Sequence, residues 1–420
     1  MSSMQQYKGW LFLASLLLYL LYAFGVIGIS LATAVTWAAA LLYLPQLSKA
    51  IRIQAGCLLS IGIVLLLIAA KQNTLLSASD ILSINLPLLA MFSAVSFLAL
   101  ANPENQQDPL PIGKRSIAST ALGMNLLGAV INLSIVFIVG DRLAKQQALT
   151  NAQQKVLMRC FCAAAWWSPF FIATAVSITY APGMQWLDVL LPGALMALIA
   201  LAFTTAEVSL REKDSFAGYP LRRESLTIPF VLATSVIALH FAFPDFSIIL
   251  MITCLAPIAA LSFAKGNSKV LIARNFVSHR LSNVGSQYVL FLAAGVFSAG
   301  IKALLLAYPE TLSLHNVSFN HQTFAVVLAM MIVACMFGIH PVISISLASP
   351  LLLPLNPEPS QLGFLFLSSW AISTGSSPLS GVGLTMIGRY QFSTRQILKN
   401  NWYYALIMWL ICSGVNVLLM

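Results

Sequence analysis

The chain has 420 residues, of which 59% are hydrophobic and 8% are charged. Soluble domains carry about 25% charged residues, so this composition excludes an ordinary soluble globule and predicts a polytopic membrane protein. A net charge of +10 would be typical of a nucleic-acid-binding protein if the chain were soluble. Here most Lys and Arg residues lie in short segments between apolar stretches, as membrane topology signals do, so we expect the lipid bilayer as partner and no nucleic acid.

Cofactors and metal sites are not predicted. The six cysteines all lie within apolar stretches and form no CxxC pair, so neither disulfides nor a zinc site are indicated. The sequence also contains no phosphate loop, nucleotide-binding fingerprint or metal-ligand cluster, which disfavours a primary pump.

The first half of the chain begins with an uncharged stretch, Gly9 to Ser48. As one helix it would be about 60 Å long, twice the ~30 Å hydrocarbon core, so we predict two short helices that turn near Gly25 to Gly28. An uncharged run follows from Ser116 to Gly140, and further spans are predicted near residues 55–70, 80–100, 157–180 and 187–206.

A charged cytoplasmic linker at 207–226 divides the chain into halves at 1–206 and 227–420. The second half also contains an amphipathic stretch at 270–283, which we expect to lie along the cytoplasmic surface. Its spans are predicted near 227–242, 247–263, 284–300, 361–388 and 401–419, and an uncharged run occupies 322–357.

Two runs decide the topology, because residues 116–140 and 322–357 can either cross the membrane or enter and return on the same side. If both return and the N-terminus is cytoplasmic, all 22 Lys and Arg residues lie inside except Lys71 and Lys302. If both cross, the charges from Arg142 to Arg280 move outside. The positive-inside rule therefore favours re-entrant hairpins. The predicted fold class is an all-α polytopic membrane protein with about 11 transmembrane helices plus two re-entrant hairpins, with the N-terminus inside and the C-terminus outside.

Two short matches indicate an internal duplication. Ser168-Pro169, which follows two tryptophans, matches Ser377-Pro378. Residues 128–135 align with residues 338–345 at nearly the same offset. Matches at one spacing predict that the halves are repeats, and the hairpin topology makes them an inverted repeat.

Each Ser-Pro pair predicts a broken helix, at about 157–180 and about 361–388. Proline removes a backbone donor and glycine loosens a helix, so the backbone should unwind there. At membrane depth, irregular backbone persists only inside protein or around a wet cavity. Freed carbonyls and hydroxyls can replace the water shell of a sodium ion, and the start of a half-helix favours an anion. The predicted binding residues of the breaks are Ser168, Pro169, Ser373, Thr374, Ser376, Ser377, Pro378 and Ser380.

An alternative remains open, because small residues at these positions can serve only close helix packing and bond to their own helix. The acidic residues near the spans, Asp80, Asp188, Glu207 and Asp245, lie towards span ends. A cation/proton antiporter commonly exchanges its ions on a buried carboxylate, so an uncharged, hydroxyl-lined site better suits a small anion.

The whole chain resembles the ion transporter superfamily, which includes divalent-anion/sodium symporters, sodium/proton antiporters and arsenite permeases. The resemblance rests on the span pattern, on a hairpin before each broken helix, and locally on Trp167-Ser168-Pro169 and Ser376-Ser377-Pro378. It implies a homodimer, and hairpin tips that meet the broken helices at mid-membrane. The implied tip contacts are Asn132, Ser134, His340 and Ser344. The Ser-Asn-Thr tip signature of dicarboxylate symporters is absent.

The tip residues can be interpreted in two ways. His340 is the titratable side chain deepest in a predicted tip, so it can bind substrate or carry a proton near neutral pH. A buried histidine followed by proline can instead be a neutral, hydrogen-bonded turn residue. Asn132 and Ser134 can likewise be caps that close the first hairpin.

The sequence favours a secondary active transporter that moves a small organic anion, a carboxylate, across the bacterial cytoplasmic membrane by elevator-like alternating access, coupled to sodium or protons. The alternatives are a cation/proton antiporter and an exporter of an inorganic oxyanion. A membrane enzyme such as a polysaccharide ligase or polymerase generally needs a long external loop with basic and acidic groups. The longest such loop, 302–321, offers Glu310, His315 and His321 but no arginine, so we predict no enzyme activity.

Overall fold

The computed structural model of the protein describes residues 3–101, 109–145, 147–212, 216–221, 223–266, 268–309 and 318–420. Within these ranges the secondary structure is helical, and a single β-bridge joins Ile112 to Ala217. Six described helical segments are long and apolar enough to cross a membrane. The prediction of an all-α polytopic membrane protein is confirmed. That the hairpins return to the side they entered stays a prediction.

In chain order, the described α-helices are α1 (Ser3–Ala23), α2 (Ile29–Tyr43), α3 (Lys49–Ala70), α4 (Ala78–Ser83), α5 (Leu86–Ser96), α6 (Lys114–Ile131), α7 (Ser134–Ala144), α8 (Asn151–Cys162), α9 (Ile172–Tyr180), α10 (Trp186–Glu212), α11 (Arg223–Ala242), α12 (Ile248–Phe263), α13 (Lys269–His279), α14 (Gly285–Ala307), α15 (His321–Met336), α16 (Pro341–Leu352), α17 (Pro359–Ser376), α18 (Gly381–Tyr390) and α19 (Thr394–Leu419). Short 3₁₀ turns extend several of them.

The chain packs into two compact units that do not coincide with the predicted halves. The first unit comprises residues 1–102, 232–317 and 346–356, and the second comprises 103–231, 318–345 and 357–420. Each unit therefore takes segments from both halves of the sequence. This division is expected when corresponding parts of two repeats pack on each other and not within their own half.

In the first unit, α3 and α14 pack so closely that only glycine fits at their contact. A Cβ placed on Gly62 would lie 2.9 Å from Phe297 Cα, and one on Gly300 would lie 2.7 Å from Gly62 O. Small residues let helix backbones approach closely, which is how helices gain packing energy in lipid.

Replacing Gly62 by alanine is expected to separate these helices, because the added methyl would collide with backbone that cannot move away. Overpacking of this kind costs about 1–3 kcal/mol, so thermal unfolding in detergent should occur at a lower temperature. Gly56 in the same helix is the matched control, since a Cβ there meets nothing within 4 Å. Equal melting temperatures for Gly62→Ala and Gly56→Ala would contradict the close contact.

A buried cluster of hydrogen-bonded hydroxyl groups also stabilises the first unit. The Tyr288 hydroxyl lies 2.7 Å from Ser93 Oγ, and Ser15 Oγ lies 2.6 Å from Thr36 Oγ1. A weaker contact of 3.5 Å joins Ser15 to Tyr288. Helices α1, α2, α5 and α14 thus meet through hydroxyls that satisfy one another away from water.

Two predictions about the first unit are confirmed. Helix α1 ends at Ala23 and α2 begins at Ile29, and Gly25 between them adopts a φ of +74°, which glycine tolerates. The amphipathic stretch forms α13, which buries Phe276 and Val277 and exposes Arg274 and Asn275. Its place on the membrane surface stays a prediction.

The second unit contains the predicted hairpins and broken helices. The first hairpin is α6–α7 and the second is α15–α16, of which residues up to Ile345 belong to this unit. The broken helices are α8–α9 and α17–α18. The predicted linker starts later than expected, because α10 continues through Glu207 to Glu212.

Candidate functional site

The first break lies between α8 and α9. A 3₁₀ turn, Ala163–Trp166, ends α8, and regular helix resumes at Ile172. Within the break, Ser168 Oγ donates to Ala129 O at 2.5 Å and accepts from Phe170 N at 3.2 Å. Asn132 Nδ2 donates to Phe170 O at 3.1 Å. The tip of the first hairpin is therefore bonded to the unwound backbone on both sides of Pro169.

The second break has the same arrangement between α17 and α18. Ser377 Oγ donates to Cys335 O at 2.8 Å and accepts from Leu379 N at 3.1 Å. Ser380 caps α18, since its hydroxyl accepts from Gly383 N at 3.1 Å. The two Ser-Pro serines thus occupy equivalent positions, each joining a hairpin to the backbone after its own proline.

The turns of the hairpins correct the predicted alignment. Ala129 and Cys335, the two acceptor residues, each lie one helical turn before a residue with positive φ, at Asn132 and Gly338. Asn132 therefore corresponds to Gly338, and the alignment of 128–135 with 338–345 is one turn out of register. Gly128 lies inside α6, where a Cβ would approach the Phe161 ring to 2.7 Å. Asparagine tolerates positive φ better than most residues, so it replaces glycine at the turn.

The two broken helices run antiparallel where they touch. Trp166 Nε1 donates to Ser368 Oγ at 3.0 Å, while a Cβ on Gly375 would lie 3.2 Å from Cys162 Cβ. Later residues of α17 therefore meet earlier residues of α8. The indole N–H of Trp166 is used in this hydrogen bond between the two helices, so the side chain has a packing role.

A row of buried hydroxyls leads along α17 to the second break. Within the described part of the chain, the hydroxyls of Ser369, Ser373, Thr374 and Ser376 are buried without a hydrogen-bond partner. Residues 369, 373 and 376 share one face of the helix. The weakly polar Cys335 thiol lies close to Ser373. A buried unsatisfied hydroxyl costs about 1–3 kcal/mol, so such a row calls for a polar ligand or water.

His340 lies in the turn of the second hairpin, and Ser344 lies in the first turn of α16. His340 Nδ1 accepts from Val342 N at 3.2 Å, which places the ring proton on Nε2 and leaves the imidazole neutral. Its ring meets Trp370 edge to face, with centroids 5.5 Å apart. Ser344 Oγ donates to Pro341 O at 2.9 Å, and Ser134 begins α7. The His340 contact agrees with the structural alternative of a neutral turn residue, whereas Ser134 is not the N-cap of α7, and the binding roles of all four tip residues stay predictions.

A buried ionic cluster is the feature that sequence reasoning missed. Arg159 is fully buried, with Nη1 2.6 Å from Glu207 Oε2 and Nε 2.8 Å from Asn401 Oδ1. Lys155 Nζ lies 2.5 Å from Glu207 Oε1, and the guanidinium covers the Tyr404 ring at 4.6 Å. Lys155 and Arg159 are counted among the cytoplasmic charges in the sequence analysis, which does not predict that they form a buried network within α8. The available signal was their spacing, which puts both cations on one face of a helix.

Comparison with known proteins finds distant similarity among solved structures. No protein-family model matches the chain, and no curated protein matches it. Among solved structures, the chain is similar to the YdaH transporter of Alcanivorax borkumensis, reported to have an unusual topology, with 14% sequence identity and a TM-score of 0.45. The match covers 87% of this chain and 97% of that one.

Proposed function

We propose that the protein is a secondary active transporter of a small organic anion, in the ion transporter superfamily, coupled to sodium or protons. The observation that carries the proposal is the mirrored pair of contacts between tips and breaks. Ser168 joins the first tip and Ser377 joins the second, each through the same two hydrogen bonds. Unwound helices that meet hairpin tips are the sites at which secondary transporters bind substrate and ions.

Three further contacts support an inverted repeat. The broken helices run antiparallel at Trp166 and Ser368. Glu207 of α10 pairs with α8, and Asn416 of α19 bonds Gln361 of α17 at 3.0 Å. Glu207 and Asn416 are separated by the same number of residues as Ser168 and Ser377. This equal spacing supports a repeat that extends from the breaks to the long helices that follow them.

The breaks offer chemistry for an anion and a cation together. Helix α9 starts without a capping side chain, so its first amides and positive dipole end suit a carboxylate. The unpaired hydroxyls of Thr374 and Ser376 suit a dehydrated sodium ion. Both tips and both breaks belong to one compact unit, which is what an elevator-like movement requires. We further propose a homodimer in the bacterial cytoplasmic membrane.

The alternatives have weaker support. In an antiporter or a proton-coupled exporter, His340 would have to gain a proton at Nδ1 and give up its bond to Val342 N. For a polysaccharide ligase or polymerase, Glu310 and His315 lie outside the described residues. His321 is engaged with Asn416 Nδ2 at 2.9 Å.

Transport by purified protein in liposomes tests the proposal. Labelled carboxylates should accumulate only when an inward sodium or proton gradient is imposed, because accumulation against a gradient needs a coupling ion. No accumulation across a broad panel of carboxylates would contradict a carboxylate transporter. Proton movement on addition of sodium or of an inorganic oxyanion would favour the alternatives.

Replacing Ser376 by alanine separates function from folding. Its hydroxyl has no protein partner, so thermal stability should not fall. One contact with an ion contributes roughly 1.5–3 kcal/mol, so the sodium concentration that half-saturates uptake should rise about tenfold or more. Ser413→Ala is the control, because Ser413 Oγ bonds Trp409 O within its own helix at 2.8 Å. An unchanged sodium dependence would remove Ser376 from the ion site.

A further inference from the structure

The first hairpin is held by a strap, which we define as residues 216–221. Backbone hydrogen bonds join Gly113 N to Phe216 O at 3.1 Å and Gly218 N to Pro111 O at 2.9 Å. A Cβ on Gly218 would lie 2.4 Å from Thr120 Oγ1, so strap and helix are in close contact. Side chains add Ser116 Oγ to Phe216 O, Ser119 Oγ to Tyr219 O, Tyr219 N to Thr120 Oγ1 and Gln153 Nε2 to Ala217 O.

These contacts fix the incoming arm of the hairpin, α6. Most of them are neutral hydrogen bonds at buried or half-buried groups, with Phe216 fully enclosed. Opening them would leave buried donors and acceptors unpaired, which is unfavourable away from water. Because Gln153 belongs to α8, the strap ties α6 to the helix before the first break.

The outgoing arm, α7, is held by a different kind of contact, which we call the latch. Arg389 of α18 binds Asp141 through two of its guanidinium nitrogens, with Nε donating to Oδ1 at 2.6 Å and Nη2 donating to Oδ2 at 2.5 Å. The Tyr390 hydroxyl donates to Asp141 Oδ1 at 2.9 Å. The Arg389 guanidinium also lies 5.5 Å from the Phe137 ring centroid.

The latch lies at the protein surface, since the side chains of Asp141 and Arg389 are 38% and 53% exposed, and on the predicted cytoplasmic side it would be reached by water. Hydrogen bonding to Arg389 lowers the pKa of Asp141, so both partners are charged at neutral pH. Fork-to-fork geometry makes the contact specific, and exposure lets water take over each charge when the pair separates.

We propose that α7 is a gate on the side predicted to be cytoplasmic, that the Asp141–Arg389–Tyr390 latch holds it closed, and that α6 stays fixed on the strap. The inference rests on the proposed function for its purpose. Arg142, next to Asp141 in α7, also lies over the Tyr219 ring at 5.2 Å, so this contact with the strap is made at the C-terminal end of α7. Movement of α7 would carry Ser134 and the turn away from the first break.

Cysteine labelling tests the gate without any substrate. Leu133→Cys places a thiol at the turn, in a chain whose more accessible cysteines, Cys57 and Cys254, are replaced by serine. A maleimide that does not cross membranes should label it about two- to fivefold faster in Arg389→Asp, because an exposed pair contributes little and its loss shifts the equilibrium modestly. Asp141→Arg should have the same effect.

The exchanged pair is the decisive variant. Asp141→Arg with Arg389→Asp restores opposite charges, so labelling should return to the slow rate of the original chain. Arg395→Asp, which makes the same charge change at an exposed arginine in α19, is the matched control and should leave labelling slow. Fast labelling of the exchanged pair, or unchanged labelling of either single variant, would overturn the latch.

Cross-linking then compares the two arms. A bifunctional thiol reagent across Asp141→Cys and Arg389→Cys, in a chain that keeps Leu133, should slow hydrogen–deuterium exchange of the amides at the turn, while one across Ser119→Cys and Tyr219→Cys should leave that exchange unchanged. Slower exchange with the strap cross-link would show that α6 moves as well, and would overturn the assignment of α7 as the moving arm. These measurements need no substrate. If the gate behaves as expected but the protein accumulates no carboxylate, only the proposed function is rejected.

Discussion

Replacement of Arg159 by methionine is expected to lower the thermal stability of the protein more than any other single change of a charged residue. The substitution deletes the bonds to Glu207 and Asn401 and leaves a buried carboxylate that keeps Lys155 as its close cationic partner and the Tyr403 hydroxyl as a hydrogen-bond partner. Removing one partner of a buried ion pair costs about 3–5 kcal/mol. The melting temperature in detergent, followed by fluorescence or by loss of the monodisperse peak, measures the effect.

Arg211→Met is the matched control for this prediction. The Arg211 side chain is 68% exposed and lies 3.9 Å from Glu207, so its loss should change the melting temperature little. Replacing Lys155, Arg159 and Glu207 together by apolar residues should recover much of the stability, because no uncompensated charge remains. A triple variant as unstable as Arg159→Met would show that the guanidinium acts through its bonds to α19 and not through charge pairing.

Replacement of Gly193 by valine is expected to disrupt the first break. A Cβ on Gly193 would lie 2.1 Å from Trp166 O, which is backbone at the end of the 3₁₀ turn. Helix α10 is also bonded to the break, since Trp186 Nε1 donates to Trp167 O at 3.0 Å. The helix would have to move away and pull the break with it, at about 1–3 kcal/mol or more.

We expect Gly193→Val to lose both transport and thermal stability. Gly414→Val in α19 is the control, because a Cβ there meets nothing within 4 Å. Valine has restricted side-chain rotamers in any helix, which lowers helix propensity. The Gly414→Val control therefore measures this general effect of valine as well. Comparable losses in the two variants would mean that α10 does not approach the break as closely as described.

The breaks and hairpins could be predicted because their causes are local. Proline cannot donate a hydrogen bond, so Ser168-Pro169 and Ser377-Pro378 mark the points where the helices end, whatever surrounds them. The charge distribution favours hairpins over crossings, since each lysine or arginine contributes to topology independently, and this choice stays a prediction. The predicted register of the repeat was wrong because a match between distant segments has no local physical cause. Apolar sequence uses few residue types, so Gly128 matched Gly338 by chance and the true counterpart was Asn132.

The ionic cluster and the two units could not be predicted because they depend on packing between distant segments. Nothing near Arg159 in the sequence indicates that Asn401 and Glu207 will surround it. The repeat suggested a division at the linker, yet each unit combines segments from both halves. Sequence periodicity reports which face of a helix is apolar and does not report which helix will cover it.

The prolines inside α11 and α16 have a mechanical consequence. The chain passes from one unit to the other within both helices, at Val231 to Leu232 and at Ile345 to Ser346. Pro229 and Pro350 lie close to these crossings, and a proline inside a helix removes a hydrogen bond and permits a bend. Both connections are therefore pliable joints built from helix, which can flex without exposing unfolded backbone to lipid.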